Sequence, residues 1–181
     1  MILHNSVMAS PVGRLILVAR GDAIVVVAFE ESEGEARRWL GRRFGEFQMK
    51  DHGDPAGAAS ALRAYFGGDL AALDQVKVDT GGTPFQRAVW SELRRIPAGS
   101  TISYAGLAAR VGRPSAVRAV GAANGSNPVA VILPCHRVIA ADGTLCGYGG
   151  GLDRKLWLLA HEGAPAAPTA RSRSSRQFAL L

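Results

Sequence analysis

The 181-residue chain predicts an α+β fold in two parts. Three observations carry that prediction. Runs rich in β-branched residues, bounded by turn signals, fill residues 2–30. Apolar residues at three- and four-residue steps, opened by N-cap signals, recur between residues 83 and 163. Charge also divides the chain: residues 1–79 carry net −2, residues 80–163 net +5 and residues 164–181 net +3. These shifts mark a domain of residues 1–79, a second of residues 80–163 and a basic disordered tail of residues 164–181.

Ser10-Pro11-Val12-Gly13 and Gly21-Asp22 are turn signals, so residues 2–30 predict a pair or triplet of strands. Glu31 to Phe44 changes to helical spacing, with Ala36, Trp39, Leu40 and Phe44 sharing a face. Asp54-Pro55 is an N-cap with proline at the first helical position. Its helix runs through Leu62, Tyr65 and Phe66 to Gly67-Gly68. Gln75 to Asp79 alternates and predicts one more strand. This half holds no cluster of reactive side chains and reads as scaffold.

Asp79-Thr80-Gly81-Gly82 marks the boundary. Thr83-Pro84-Phe85-Gln86 then forms a capping box, with a hydroxyl at the N-cap and Gln three residues on. Its helix turns Val89, Trp90 and Leu93 inward and stops before Pro97-Ala98-Gly99. Ser103 caps a short helix from Tyr104 to Val111, ended by Gly112. Ser115 caps another, from Ala116 to about Asn124. Two short helices joined by a tight Gly-containing turn read as a helix-turn-helix. The second helix is small-sided, with Arg118 as its one long projection. Small side chains permit close helix packing; equally, a slim helix can lie deep in a nucleic-acid groove. Leu152 to His161 predicts the last helix, with Gly163 just past its end.

Composition narrows the class. With 48% apolar and 20% charged residues the chain can bury a core. It has no run of eighteen apolar residues and no basic segment leading into an apolar stretch at its start. A soluble, intracellular, cytoplasmic protein is expected, in a reducing compartment. Cys135 and Cys146 are then unlinked thiols. Two cysteines cannot build a cysteine-rich zinc site, and His4 and His52 lie far from both in sequence, so no metal and no cofactor are expected. The basic second half suits a polyanion partner, although arginine-rich solvated surfaces are common.

The reactive side chains gather in Val129-Ala130-Val131-Ile132-Leu133-Pro134-Cys135-His136-Arg137-Val138-Ile139. The apolar run reads as a short buried strand, and Pro134 ends its pairing. A cysteine placed there is either a small core residue or a nucleophile on a stiff mount. Adjacent side chains on extended chain diverge, so His136 would reach Cys135 only through water or a turn. The local residues do not decide between these.

The wider pattern does more. Pro134-Cys135-His136-Arg137-Val138, preceded by Asn127-Pro128 and followed by Gly147-Tyr148-Gly149-Gly150-Gly151-Leu152 and Trp157-Leu158-Leu159-Ala160-His161-Glu162-Gly163, resembles the methylated-DNA–protein-cysteine methyltransferases. These are the O6-alkylguanine-DNA alkyltransferases. The resemblance is dense from Thr83 to Gly163 and loose before it. It implies a small ribonuclease-H-like N-terminal α/β scaffold domain, followed by a helical, winged helix-turn-helix-type domain. It implies irreversible, single-turnover transfer of the alkyl group of O6-alkylguanine, and of O4-alkylthymine, from duplex DNA to Cys135. His136 would be the base acting through water, Glu162 the group that orients it, and Tyr104 the phenol donor to the extruded base. Arg118 would fill the gap left by that base and Arg113 would touch phosphate. Asn127 would tie the helix-turn-helix to the cysteine turn, Tyr148 would wall the base, and backbone at Cys135 and Val138 would read its edge. The expected partner is double-stranded DNA carrying O6-alkylguanine, met by a monomer, with clustering along DNA left open. The three glycines after Tyr148 and the thiol of Cys146 depart from the family pattern and bear on alkyl preference. A lesion-binding protein without transfer, a Cys–His hydrolase and a helix-turn-helix regulator are the rival readings.

Overall fold

The computed structural model describes residues 1–165; beyond residue 165 the predicted basic tail lies outside the described residues. The chain forms two compact units. The first comprises Met1–Arg87 and Ser126–Leu133, the second Ala88–Gly125 and Pro134 onward.

The first unit is built on a four-stranded sheet in the order β3-β2-β1-β4. Strand β1 is Ile2–Met8, β2 Leu15–Arg20 and β3 Ala23–Phe29. They form an antiparallel meander through the two predicted turns, with Met8 opposite Leu15 and Leu15 opposite Phe29. Leu15 to Ala19 are all buried, so β2 is covered on both faces, which is why its sequence is a continuous apolar run. Helix α1, Glu33–Phe44, follows a 3₁₀ turn at Glu30–Ser32 and lays Ala36, Trp39, Leu40 and Phe44 against Leu3, Ile16, Val18 and Val26.

Strand β4, Gln48–Asp51, pairs parallel to β1 and was not predicted. The helix expected after Asp54-Pro55 is broken at its start. Ala56 and Gly57 both take positive φ, and α2 begins at Ala58 and ends at Phe66. The Asp54 carboxylate still caps it across the kink, accepting from the Ala59 and Ser60 N–H groups at 2.7 and 3.2 Å. The strand expected over Gln75–Asp79 is reduced to a single bridge, Val78 against Ile24.

Two further corrections bear on the reactive stretch. Val129 makes one bridge, to Val27, and no strand follows. The backbone turns back on itself instead, with the Leu133 N–H donating to the Val129 carbonyl. Val131, a β-branched residue, is held at φ 68, a conformation that such residues rarely adopt.

The second unit is helical. Helix α3, Pro84–Leu93, begins in the first unit and continues into the second; it starts at a reciprocal cap, the Thr83 N–H donating to Gln86 Oε1 and the Gln86 N–H to Thr83 Oγ1. Ser103 accepts from the Gly106 N–H at 3.0 Å and opens α4, Tyr104–Arg110. After the turn at Gly112, α5 runs Val117–Gly125 and packs on α4 as a helix-turn-helix. Trp90, fully enclosed, donates its indole N–H to the Ala123 carbonyl and locks α3 to α5. Helix α6 is Leu152–His161, closed at Gly163 with φ 75. A two-residue parallel pair, β5 (Ile102–Ser103) with β6 (Val138–Ile139), joins the start of α4 to the chain just after Cys135.

Candidate active site

Cys135, His136 and Arg137 form one 3₁₀ turn. The chain turns here rather than continuing extended, and the imidazole points inward. His136 is fully buried, and its Nε2 lies 2.9 Å from Oε1 of Glu162 at the end of α6. A carboxylate accepts only, so Nε2 carries the proton and Nδ1 presents a lone pair. Nδ1 is itself buried and has no hydrogen-bond partner among the described protein atoms.

Glu162 is held on both oxygens. Arg137 Nε donates to Oε2 and its terminal nitrogen to Oε1, each at 2.8 Å, a fork that fixes the carboxylate plane. Arg137 also donates to the Ile96 carbonyl. Burial pushes the Glu162 carboxyl up, but the hydrogen bonds and charges of His136 and Arg137 outweigh it, and the group sits well below the usual carboxylate range. For His136 burial wins over the pull of Glu162, with Arg137 and Lys155 adding to it; the ring lies below its ordinary value and is neutral near pH 7. A neutral imidazole oriented by an ionised carboxylate is the form a base requires.

Gly99 borders this relay. It sits at φ 78, and a Cβ there would come within 2.9 Å of the Glu162 carbonyl oxygen. Gly99→Ala should therefore cost about 1–3 kcal/mol from backbone strain and displace Glu162 as well. The urea midpoint checks the first effect; a lowered rate of Cys135 alkylation checks the second.

The remaining predicted residues fall as follows around the turn. Cys135 is buried with 7% exposure, and its carbonyl accepts from Asn124 Nδ2 of α5 at 3.4 Å. Asn127 bonds within its own loop, donating to the Leu133 carbonyl and accepting from the Val129 N–H. The side chain seen reaching from α5 to the cysteine turn is therefore that of Asn124. Tyr104 points its hydroxyl at the Cys146 carbonyl, 3.4 Å away. Burial first, then the charge of the two thiols, pushes this phenol up to about 12, so it keeps its proton. Val138 is enclosed, with its N–H bonded to the Cys135 carbonyl and its own carbonyl accepting from Lys155. Tyr148 is half-buried, and its carbonyl closes the turn onto Gly151. Arg113 and Arg118 are exposed, the first in the turn and the second on α5 beside Ala119 and Ala122. Among the described residues no three His, Cys, Asp or Glu side chains are arranged to hold a metal. No helix among them is long and apolar enough to cross a membrane.

Arg137, Asn124 and Lys155 were not among the expected site residues. Lys155 and Glu162 could have been flagged together. They lie seven residues apart, on the helical face that buries Leu158 and Leu159, where a charge is out of place unless paired.

The class is defined by fold and geometry together: a two-unit α+β protein that sets a cysteine turn and a histidine–carboxylate relay in the same unit as a helix-turn-helix. Comparison with known proteins agrees and narrows it. Residues 3–80 match the ribonuclease-like domain of 6-O-methylguanine DNA methyltransferase, and residues 84–164 match its DNA-binding domain. A Mycobacterium leprae protein named methylated-DNA–protein-cysteine methyltransferase is 45% identical over 160 residues, covering 87% of this chain and 91% of that one. A Salmonella typhimurium protein of the same name is 57% identical over 110 residues, 61% of this chain; the match spans 64% of that protein's length. The crystal structure of Mycobacterium tuberculosis OGT in complex with DNA superposes with a TM-score of 0.75 at 39% identity, covering 92% of this chain and 96% of that one. The chain belongs to the 6-O-methylguanine DNA methyltransferase family, with the ribonuclease-like and helical DNA-binding architecture read from its sequence.

Proposed function

We propose that this chain repairs duplex DNA by taking the alkyl group of O6-alkylguanine, and of O4-alkylthymine, onto its own Cys135. The observation that carries the reading is the Cys135 turn, in which His136 offers a bare, buried Nδ1 while Glu162 holds Nε2 at 2.9 Å.

A neutral thiol is a weak nucleophile, and at its ordinary pKa of about 8.5 only a few per cent is ionised near neutral pH. His136 Nδ1 takes the Cys135 proton through one water, and Glu162 stabilises the imidazolium. The thiolate displaces guanine oxygen from the alkyl carbon: a C–S bond forms, the C–O bond breaks, and the electron pair moves into the purine. The Tyr104 hydroxyl, protonated across the working pH range, donates to the ring and steadies that charge. The target carbon is hidden in the stack, so the base must be extruded at a cost of a few kcal/mol. The slim outer face of α5 fits a groove, and Arg118 projects from it to occupy the space the base leaves. Arg113 in the preceding turn meets phosphate. Asn124 and Asn127 brace the backbone on either side of the acceptor, and Tyr148 walls the base.

The product is a thioether with no easy reversal, so each monomer acts once and consumes no cofactor. A cytoplasmic, reducing setting keeps the acceptor a thiol.

Incubating the full chain with O6-methylguanine duplex and weighing it tests the reading. The mass should rise by one methyl per molecule, mapped to Cys135, and should rise equally in Cys146→Ser. Repeated turnover, or an unchanged mass, overturns it. Arg118→Ala should slow single-turnover methyl uptake at saturating duplex by about tenfold to a hundredfold, the value of one such contact of roughly 1–3 kcal/mol.

A further inference from the structure

Asn124 is the enclosed polar side chain of α5, with 4% exposure, and bracing the cysteine turn uses only half of it. Its Nδ2 donates to the Cys135 carbonyl at 3.4 Å. A carbonyl only accepts, so the amide nitrogen must face it and Oδ1 is the other end of the amide. That oxygen is buried and has no hydrogen-bond partner among the described protein atoms. A buried acceptor left without a donor is costly and calls for a partner. His136 Nδ1, fully enclosed, is in the same condition.

The two unpaired acceptors belong to one neighbourhood. Oδ1 is two bonds from the nitrogen that meets the Cys135 carbonyl, and the imidazole springs from the residue joined to that carbonyl. The thiol stands on the other side of the same peptide. The side-chain donors around them are engaged elsewhere. Tyr104 points at the Cys146 carbonyl, Arg137 holds Glu162 and the Ile96 carbonyl, and Lys155 holds the carbonyls of Val138, Cys146 and Gly147. One water has two protons, enough for both acceptors, and its oxygen accepts from the thiol. Three partners of this kind are what a buried water ordinarily has.

We propose that Asn124 is a positioning residue for the proton relay: its Oδ1 holds one proton of the water that joins Cys135 to His136, so that the other proton points at Nδ1. The inference rests on the reading of Cys135 as acceptor and His136 as its base. In the step the S–H proton passes to the water oxygen while the water gives a proton to Nδ1. A thiolate and an imidazolium are left, and the water is regenerated with Oδ1 still holding it. The titratable and charged groups about the thiol are His136 and Arg137 in its own turn, Tyr104 on α4, Cys146 before α6, and Lys155 and Glu162 on α6. Replacing Asn124 by a neutral residue removes none of these charges, so a moved thiol titration reports the relay.

The test follows Cys135 in the Cys146→Ser background by its rate of alkylation with iodoacetamide against pH, without DNA. Asn124→Leu, similar in size and without polar atoms, should move the midpoint up by about one pH unit and slow alkylation near pH 7 about tenfold. The rate on the alkaline plateau should stay that of the parent, because hydroxide takes the proton there. In a His136→Gln background the same substitution should move the midpoint no further, since the base it serves is gone. An unmoved midpoint in a folded Asn124→Leu protein overturns the proposal. So does an equal shift with and without His136, the result a backbone brace alone would give. Should Asn124→Leu or His136→Gln fail to fold, NMR of the His136 ring nitrogens decides. Nδ1 should move downfield, toward a bare nitrogen, in Asn124→Met, whose flexible stem fits irregular space; an unchanged shift overturns the proposal equally. Methyl uptake mapped to Cys135 is a separate measurement, so failure here is distinguishable from failure of the repair reading.

Discussion

If Cys135 is the acceptor, Cys135→Ser should take up no methyl from O6-methylguanine duplex, while binding of the damaged duplex should persist. A serine hydroxyl is far more basic than a thiol, and a neutral imidazole cannot draw off its proton to any useful extent before attack. Direct displacement at an alkyl carbon depends on nucleophile strength, so the loss is complete on the scale of the assay. The exchange is nearly isosteric, and the backbone carbonyl of residue 135 still meets Asn124 Nδ2. The fold should survive, with a melting temperature close to that of the parent. Methyl uptake at any other residue of this variant would move the acceptor elsewhere and remove the reason for the His136–Glu162 relay.

Glu162→Gln should cost about 3–5 kcal/mol, because one substitution strips the counter-charge from a buried guanidinium and the acceptor from a buried imidazole. Against a usual stability of about 5–15 kcal/mol this is a large fraction. The amide offers one acceptor where two oxygens now receive three donated bonds. The urea midpoint, at constant slope, measures the cost. The acid limb checks the same cluster. His136 has a native value below its unfolded value of about 6.5, so as pH falls the unfolded chain gains a proton that the native ring refuses. Glu162 is also depressed, so its stabilisation is present above the unfolded value of 4.5 and is lost as pH falls through the lower native one. Both terms make stability fall with acid: the first below about pH 6.5, the second below 4.5. Glu162→Gln should lose the lower part of that dependence. A variant with an unchanged acid limb would show that the carboxylate is not ionised in the native state.

The regular elements were legible where one face or one cap decides them. The meander of β1 to β3, the capping box at Thr83, the Ser103 cap and the close of α6 at Gly163 all depend on local chemistry. What escaped depends on distant partners. Strand β4 is four largely exposed residues whose only ladder is to β1, far away in sequence. Gln75–Asp79 alternates like a strand, yet meets a neighbour at one residue alone. Val129 to Leu133 has strand-like composition, but its backbone closes on itself, and positive φ at Val131 cannot be read from a β-branched residue. At the site, Cys135 and His136 stood out as adjacent reactive types, whereas a role for Glu162 came only from the resemblance to a known family. Arg137 was in plain view beside them, but its fork onto Glu162 requires α6 and the cysteine turn to meet in space.

The path of the backbone has a practical outcome for anyone wishing to isolate the helical half. Residues 126–133 lie within its span of sequence but take their hydrogen bonds from β3, through Val27, Pro128 and Ala130. A fragment beginning near Ala88 would carry this greasy octapeptide with nothing to dock on, immediately upstream of the reactive turn. Such a truncation invites precipitation. The two halves are stitched so that neither can be excised by a single cut, and shuffling one of them onto another protein would leave a loose thread at the most sensitive point of the molecule.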